Sequence, residues 1–439
     1  DLVRSRGLGD VYKRQIDYRT RLVQLDWRNN IETPIEDLQP YVFALHPRAA
    51  KLAYAEPSAM STQLSIRDFN AHTDTPLITR NEVFIGLSID PLTEHIVSTS
   101  SLVGGQLETI SPAGEFSILW PSTDPLIDPA FSADGKRLAV AQARFTYDLW
   151  SRDIHEGNIS ETASPIIQSS RFDYSPRYSH TGQRLAFIST RGGVPAVWLA
   201  NADGSDAKPA FSLPKNVWPT QLRWSPDDRF LSVGATNLRA YRFDLLSGKV
   251  NAISPSDMAV LNPSWSRDGK TQYLSRRVND EWQIWQAAVQ TDEQTTSTET
   301  YPIFSELISD TGVVAGSLIE PAAEGDCLYV LKHGNSEQRG VWCYDTRTKT
   351  MTRLLAIDLS RSNWQNFSVN NKGFYYVHPN KGMLTVHHWD KTNGAKALLP
   401  LFPQADAGML FIDFAMSPNE QRVIYTHLDN FESDIMILE

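Results

Sequence analysis

Asp128-Pro-Ala-Phe-Ser-Ala-Asp-Gly-Lys-Arg-Leu-Ala-Val140 returns forty-odd residues later as Ser175-Pro-Arg-Tyr-Ser-His-Thr-Gly-Gln-Arg-Leu-Ala-Phe187. Two further copies come after it, Gln221-Leu-Arg-Trp-Ser-Pro-Asp-Asp-Arg-Phe-Leu-Ser-Val233 and Asn262-Pro-Ser-Trp-Ser-Arg-Asp-Gly-Lys-Thr-Gln-Tyr-Leu274. Each copy is a short apolar run, then Ser-x-Asp/Thr-Gly or a near variant, then a second apolar run, which spells strand, tight turn, strand. Gly, Asp or Asn at the turn accepts the positive φ of the reversal. A fixed period of this length marks an array in which no unit buries its apolar face alone.

Working outward, a polar loop precedes an alternating segment with a tryptophan: Asp148-Leu-Trp150, Ala196-Val-Trp198, Gln283-Ile-Trp285 and Gly340-Val-Trp342. This reads as a third strand, and a turn such as Leu246-Ser-Gly-Lys249 leads to a fourth, Lys249 to Ile253. Four antiparallel strands per repeat make one propeller blade, so the fold class expected is all-β. Degenerate openings extend the series: Tyr41 to Tyr54 and Val83 to Val97 before it, then Val313 to Val330, Trp364 to Val377 and Phe411 to Tyr425 after it. The reading is a single β-propeller of four-stranded antiparallel blades over residues 16–439, nine blades, or eight if one weak unit is an insertion. The last unit stops at its third strand. Arg21 to Trp27, which alternate, are expected to complete it and so close the ring.

Residues 1–15 resemble a translated sequencing adapter at the edge of an environmental gene fragment, a natural basic tail being the other reading, and are set aside. On the adapter reading, any targeting signal, membrane helix or further domain lies outside the sequence. No apolar stretch within it is long enough to cross a bilayer. The formal charge of −10 over 439 residues argues against this segment binding nucleic acid, which needs a basic face. Helical periodicity is scarce, and the polar stretch Thr291 to Thr300 reads as a long, disordered loop.

The two cysteines, Cys327 and Cys343, fall on the second and third strands of one blade at equal distances from a hairpin tip near Asn335. That is compatible with a cross-strand disulfide and an oxidising compartment; two buried thiols are the other reading.

The blade phrase, with Trp224-Ser-Pro-Asp227 and Ile188-Ser-Thr-Arg191, resembles the TolB-type propeller repeat, over about residues 40–439. Ser170 to Ser179 and the terminal segment Met416 to Glu439 look like the C-terminal half of CadC-like membrane regulators. That likeness implies a periplasmic propeller joined through a membrane helix to a winged-helix DNA-binding domain, both upstream of this segment. Other propellers of this repeat precede the hydrolase domain of prolyl-oligopeptidase-like enzymes, which needs a Gly-x-Ser-x-Gly elbow. None occurs in the sequence.

Candidates for chemistry are therefore sites of binding rather than catalysis, and no cofactor or metal is called for. The adjacent His387 and His388 point to opposite faces of a strand and do not chelate together. The residue four before the turn serine is polar in several blades, Asp128, Ser175, Gln221, Asn262 and Asp413, at one level of the innermost strands. It reads either as a ligand-binding ring at the channel mouth or as links between blades. Trp218 and Trp364 lie beside innermost strands and join that group, whereas the third-strand tryptophans read as packing between blades. A basic series comes after the second strand, Arg144, Arg191, Arg276 and Arg277, with Lys332 and His333 in a later blade. Structural links to acidic neighbours and an anion-binding face are its two readings. The function expected is a non-enzymatic sensor or interaction domain of a membrane-bound transcription regulator, binding a small ligand, peptide or protein outside the cytoplasm. The alternatives are a free periplasmic protein-binding scaffold of TolB type and the propeller of a peptidase-like enzyme.

Overall fold

A computed structural model describes residues 22–439 apart from 27, 36–37, 39, 59–60, 81–83, 100–104, 156–157, 161, 215–216, 279–280, 290–301, 303, 309–318, 333–337, 358–366 and 404–412. Every regular element among the described residues is a β-strand. The expected loop at Thr291 to Thr300 lies outside them, as do residues 1–15. The chain divides into two compact units, Asp1–Arg144 with Phe431–Glu439, and Phe145–Asn430.

The repeated phrase folds as one hydrogen-bonded device. Ser132, Ser179, Ser225, Ser266 and Ser417 each accept, at the carbonyl, the N–H of the residue three further on, at 2.8 to 2.9 Å. That residue has positive φ in every copy: Gly135 73°, Gly182 70°, Asp228 55°, Gly269 69° and Glu420 60°. Each serine hydroxyl then bonds the side chain two residues later, as Ser225 to Asp227 at 2.5 Å and Ser266 to Asp268 at 2.6 Å. It also accepts the N–H five residues later, from Phe230 at 2.8 Å and from Thr271 at 2.9 Å. The turn thus satisfies its own backbone locally, which is why the phrase tolerates so little variation.

In the Phe145–Asn430 unit five sheets run four strands each in chain order, opening with Asp173–Tyr178, Pro219–Trp224, Val260–Trp265, Ile319–Pro321 and Phe367–Val369. A sixth is assembled from both ends of the unit. Phe414–Met416 pairs with the early part of Arg422–Leu438, which lies beside the later part of Leu138–His155, which pairs with Ser164–Ile167. Ile154 N–H donates to Gln421 O at 2.7 Å and Trp150 Nε1 to Asp429 at 3.0 Å across that seam. Asp173–Tyr178 touches both Pro219–Trp224 and Phe414–Met416, so the sheets close a six-bladed ring. Apolar clusters fill the wedges. Leu149, Leu185, Phe187 and Ile424 pack where the assembled blade meets the next, and Tyr329, Phe367, Phe374 and Trp389 where the fifth chain-order blade meets its predecessor.

The other unit holds three sheets in series, opening with Val42–Leu45, Gly86–Ile89 and Leu126–Phe131. Ala53, Leu64, Leu87 and Ile96 join the first to the second; Leu107, Leu126 and Val140, with Met436 and Leu438 against them, join the second to the third. The buried Glu108 is paired with Arg80 at 2.6 Å.

All nine expected openings are present as inner strands, three in one unit and six in the other. The expected closure is corrected. Among the described residues Val23–Asp26 pairs only with Ile31–Pro34, in a tight hairpin turned at Asn30 with φ 54°. Closing so short a loop costs far less entropy than a distant pairing, and Leu22 and Leu38 settle against Leu52 and Tyr54. Asp148 to Trp150 is likewise no separate third strand. Nothing between Leu138 and His155 is Gly or Pro, so the chain runs on as one strand of eighteen residues, and its later part completes the last blade.

Candidate functional site

Three inner strands carry a residue of positive φ just before proline: Asp128 at 51°, Ser175 at 55° and Asn262 at 54°. The strand register slips at each, between Ile127 and Ala130, Tyr174 and Arg177, and Leu261 and Ser264. These are bulges. Short polar side chains tolerate the left-handed backbone there, and the bulge re-aims the side chains next along the strand.

In the six-bladed ring those re-aimed side chains help to wall a cavity of about 410 Å³ at the end of the inner strands, with all six inner strands or the turns after them contributing. Arg177 and Arg223 occupy the same place in neighbouring repeats and are each only 8% exposed. Arg177 Nη1 donates to Pro176 O at 2.9 Å and, across the blade boundary, to Phe414 O at 2.8 Å. Arg223 Nη1 donates to Leu222 O at 2.9 Å, and its Nε to the Glu320 carboxylate. Ser264 Oγ donates to the other Glu320 oxygen at 3.4 Å. Arg223 Nη2 has no hydrogen-bond partner among the described residues, nor has Trp265 Nε1. Arg267, on the rim, donates to Ala322 O. The apolar wall includes Trp224, whose Nε1 donates to Arg177 O at 3.1 Å, with Trp265, Phe367 and Met416.

Electrostatically the wall is lopsided, with three arginines against one glutamate among its described residues. Burial, then the charge of Arg223, pushes the Arg177 guanidinium toward a lower pKa. Burial pushes the Asp413 carboxyl up, opposed by Arg177 and by the Ser175 hydroxyl, which donates to it at 2.8 Å.

The polar series expected at the channel mouth does not line this cavity. Ser175, Gln221 and Asn262 are buried on the same strands and Asp413 just before its strand, each two residues before Arg177, Arg223, Ser264 and Ala415 respectively. Ser175 and Asp413 join two blades. Asp128 belongs to the other unit and is exposed. Trp218 sits half-buried at the beginning of its inner strand, its N–H on Thr236 Oγ1 at 3.0 Å, at the end away from the cavity. Trp364 lies outside the described residues. Arg177 and Arg223 were missed although the sequence carries a signal for them: arginine stands in -Pro-Arg-Tyr-Ser- and -Leu-Arg-Trp-Ser- where the other two clear copies have Ala130 and Ser264.

The basic series and the third-strand tryptophans turn out to be one device. Arg191 lies over Trp198 at 4.6 Å, Arg276 over Trp285 at 4.2 Å and Lys332 over Trp342 at 5.0 Å. Arg191 also holds the buried Asp173 of its own blade at 2.8 Å, a link within the blade rather than to the next one. Arg277 is half-buried, with its N–H on Ala259 O at 3.0 Å, and His333 is not among the described residues. Arg144, in the other unit, pairs with Asp124 at 3.1 Å.

Cys327 and Cys343 are joined as a disulfide with Cα atoms 5.4 Å apart. The register pairs Cys343 with Tyr329 and Cys327 with Asp345, so the bond runs diagonally between strands. His387 stacks on Tyr376 at 5.1 Å and His388 against Tyr375 at 4.6 Å. Among the described residues no group of three or more His, Cys, Asp or Glu is placed to hold a metal ion, and no helix is long and apolar enough to cross a membrane.

A closed ring of six four-stranded antiparallel blades around such a cavity is a β-propeller. Residues 114–306 match the family profile described as TolB beta propeller domain. The uncharacterized peptidase YuxL of Bacillus subtilis is 26% identical over 151 residues, 33% of this chain and 22% of that protein. The Tol-Pal system protein TolB of Anaeromyxobacter dehalogenans is 31% identical over 109 residues, 24% of each. The chain spans under a quarter of the length of either relative. TolB from Acinetobacter baumannii aligns with 88% of this chain and 81% of its own at 12% identity and a TM-score of 0.37.

Proposed function

We propose that the Phe145–Asn430 ring is a non-enzymatic binding propeller that receives its ligand in the cavity walled by Arg177 and Arg223, and that it is the extracytoplasmic sensor half of a membrane-bound transcription regulator. The observation that carries the binding role is the cavity itself: buried guanidinium groups facing a concave, partly apolar space are costly unless something occupies it. The regulator architecture rests on the likeness of Ser170 to Ser179 and Met416 to Glu439 to CadC-like proteins. The Cys327–Cys343 disulfide supports an oxidising compartment.

Recovering the full-length gene and reading upstream of Ile16 tests the architecture. A winged helix and then about twenty apolar residues is the expected result. A cleavable signal peptide leading straight into the propeller would overturn it in favour of a free periplasmic scaffold. The similarity to YuxL favours a further reading, the propeller of a peptidase-like enzyme. That reading requires a nucleophile elbow encoded outside this sequence.

A further inference from the structure

We infer that the cavity takes a carboxylate carried on an apolar body; this rests on the cavity being the ligand site proposed above. The first support is Arg223. It is more than nine-tenths buried and lines the cavity, its Nε and Nη1 are engaged, and its Nη2 has no partner among the described residues. A guanidinium in that state is an unfinished fork, and the planar group that completes it is a carboxylate.

Charge makes the second argument. Three arginines face one glutamate in the described wall of a protein whose overall charge is −10, so the cavity is a positive spot on an acidic molecule. An anion entering it offsets the cost of holding these guanidinium groups away from water. Glu320 already accepts from Arg223 Nε, and the described wall holds no lysine, so the site suits a single negative charge rather than a phosphate dianion.

The third support is shape. Trp224, Trp265, Phe367 and Met416 form the apolar part of the wall, and Trp265 Nε1 is a second buried donor without a partner among the described residues. A space of about 410 Å³ lies at the lower end of ordinary ligand pockets and accommodates a body the size of a short peptide terminus or an aryl acid. Either source presents the same chemistry.

Calorimetric titration of the full chain with acetyl-Ala-Phe, its C-terminal amide, 3-phenylpropionate and inorganic phosphate tests the inference. The free acid should bind roughly tenfold to a hundredfold tighter than the amide, the range set by a charge-assisted hydrogen bond. Arg223→Gln should abolish that preference while leaving the amide's affinity in place, and Glu320→Gln should strengthen it. If 3-phenylpropionate matches the peptide acid, the carboxylate comes from a free acid; if it is much weaker, from a peptide terminus. Equal affinity for acid and amide, or phosphate binding tighter than either, would overturn the carboxylate assignment while leaving the cavity as a ligand site. Binding of none of the four would remove both. The comparison of acid with amide uses the unaltered chain, so it stands even if Arg223→Gln fails to fold.

Discussion

At the beginning of the inner strand Asp173–Tyr178, Arg191 holds Asp173 at 2.8 Å and lies over Trp198 at 4.6 Å; near its end, Arg177 lines a cavity. One end of the ring repeats this stacking in two further blades, with Arg276 on Trp285 and Lys332 on Trp342. The other departs from repetition: two neighbouring blades present arginine where a third presents Ser264 and the assembled one Ala415. A device that recurs in three blades serves what those blades share, their packing. Side chains that differ at one repeat position break the ring's symmetry and so have the shape of a ligand site.

That contrast can be broken at several points. Trp224→Ala acts at the cavity end, where the buried indole also ties two blades through its bond to Arg177 O, and should lower stability by about 3–5 kcal/mol in urea unfolding. Reducing the Cys327–Cys343 bond, which spans 16 positions in the blade that supplies Glu320, should cost about 3 kcal/mol in unfolding with and without reductant.

A pH effect bears on the assembled blade. Burial, then the neighbouring Asp429, pushes the Asp148 carboxyl up to about 7. Asp429 is held low, against its own burial, by Asp148, Trp150 and His427. A folded value above the unfolded one means that folding takes up a proton. The contribution of Asp148 is therefore complete below about pH 4 and is lost as pH rises to about 7, whereas that of Asp429 is lost only as pH falls below its ordinary range. Asp148→Asn should flatten the fall in melting temperature between pH 4 and 8, raising it more at pH 8 than at pH 5. The smallest effect belongs to the repeated end: Arg276→Gln should cost about 0.5–2 kcal/mol in urea, the worth of its stacking, and leave ligand binding unchanged.

How much of this was legible depends on how local each feature is. The turn phrase at Ser132, Ser179, Ser225, Ser266 and Ser417 bonds within six residues, so its spelling announces it and the nine openings can be counted. The partnership of Leu138–His155 with Arg422–Leu438 is not local. An alternating strand buries the same face beside any suitable neighbour, so its letters name no partner. The polar series lies two residues before the side chains that line the cavity, for a related reason. Ser175 and Asn262 precede proline and look like a polar ring, but the left-handed backbone they adopt bulges the strand, and the chain turns Arg177 and Ser264 to the cavity instead. A bulge depends on the strand opposite as much as on the residue that makes it.

On the proposed function the two ends of the ring have different work, binding at one and packing at the other. Arg223→Gln beside Arg276→Gln, each titrated with acetyl-Ala-Phe and its amide and unfolded in urea, sets the two against each other. The first should lose the preference for the acid over its amide, and the second should lose stability and keep the preference. Equal loss of binding in both variants, or full binding in Arg223→Gln, would contradict that division of work.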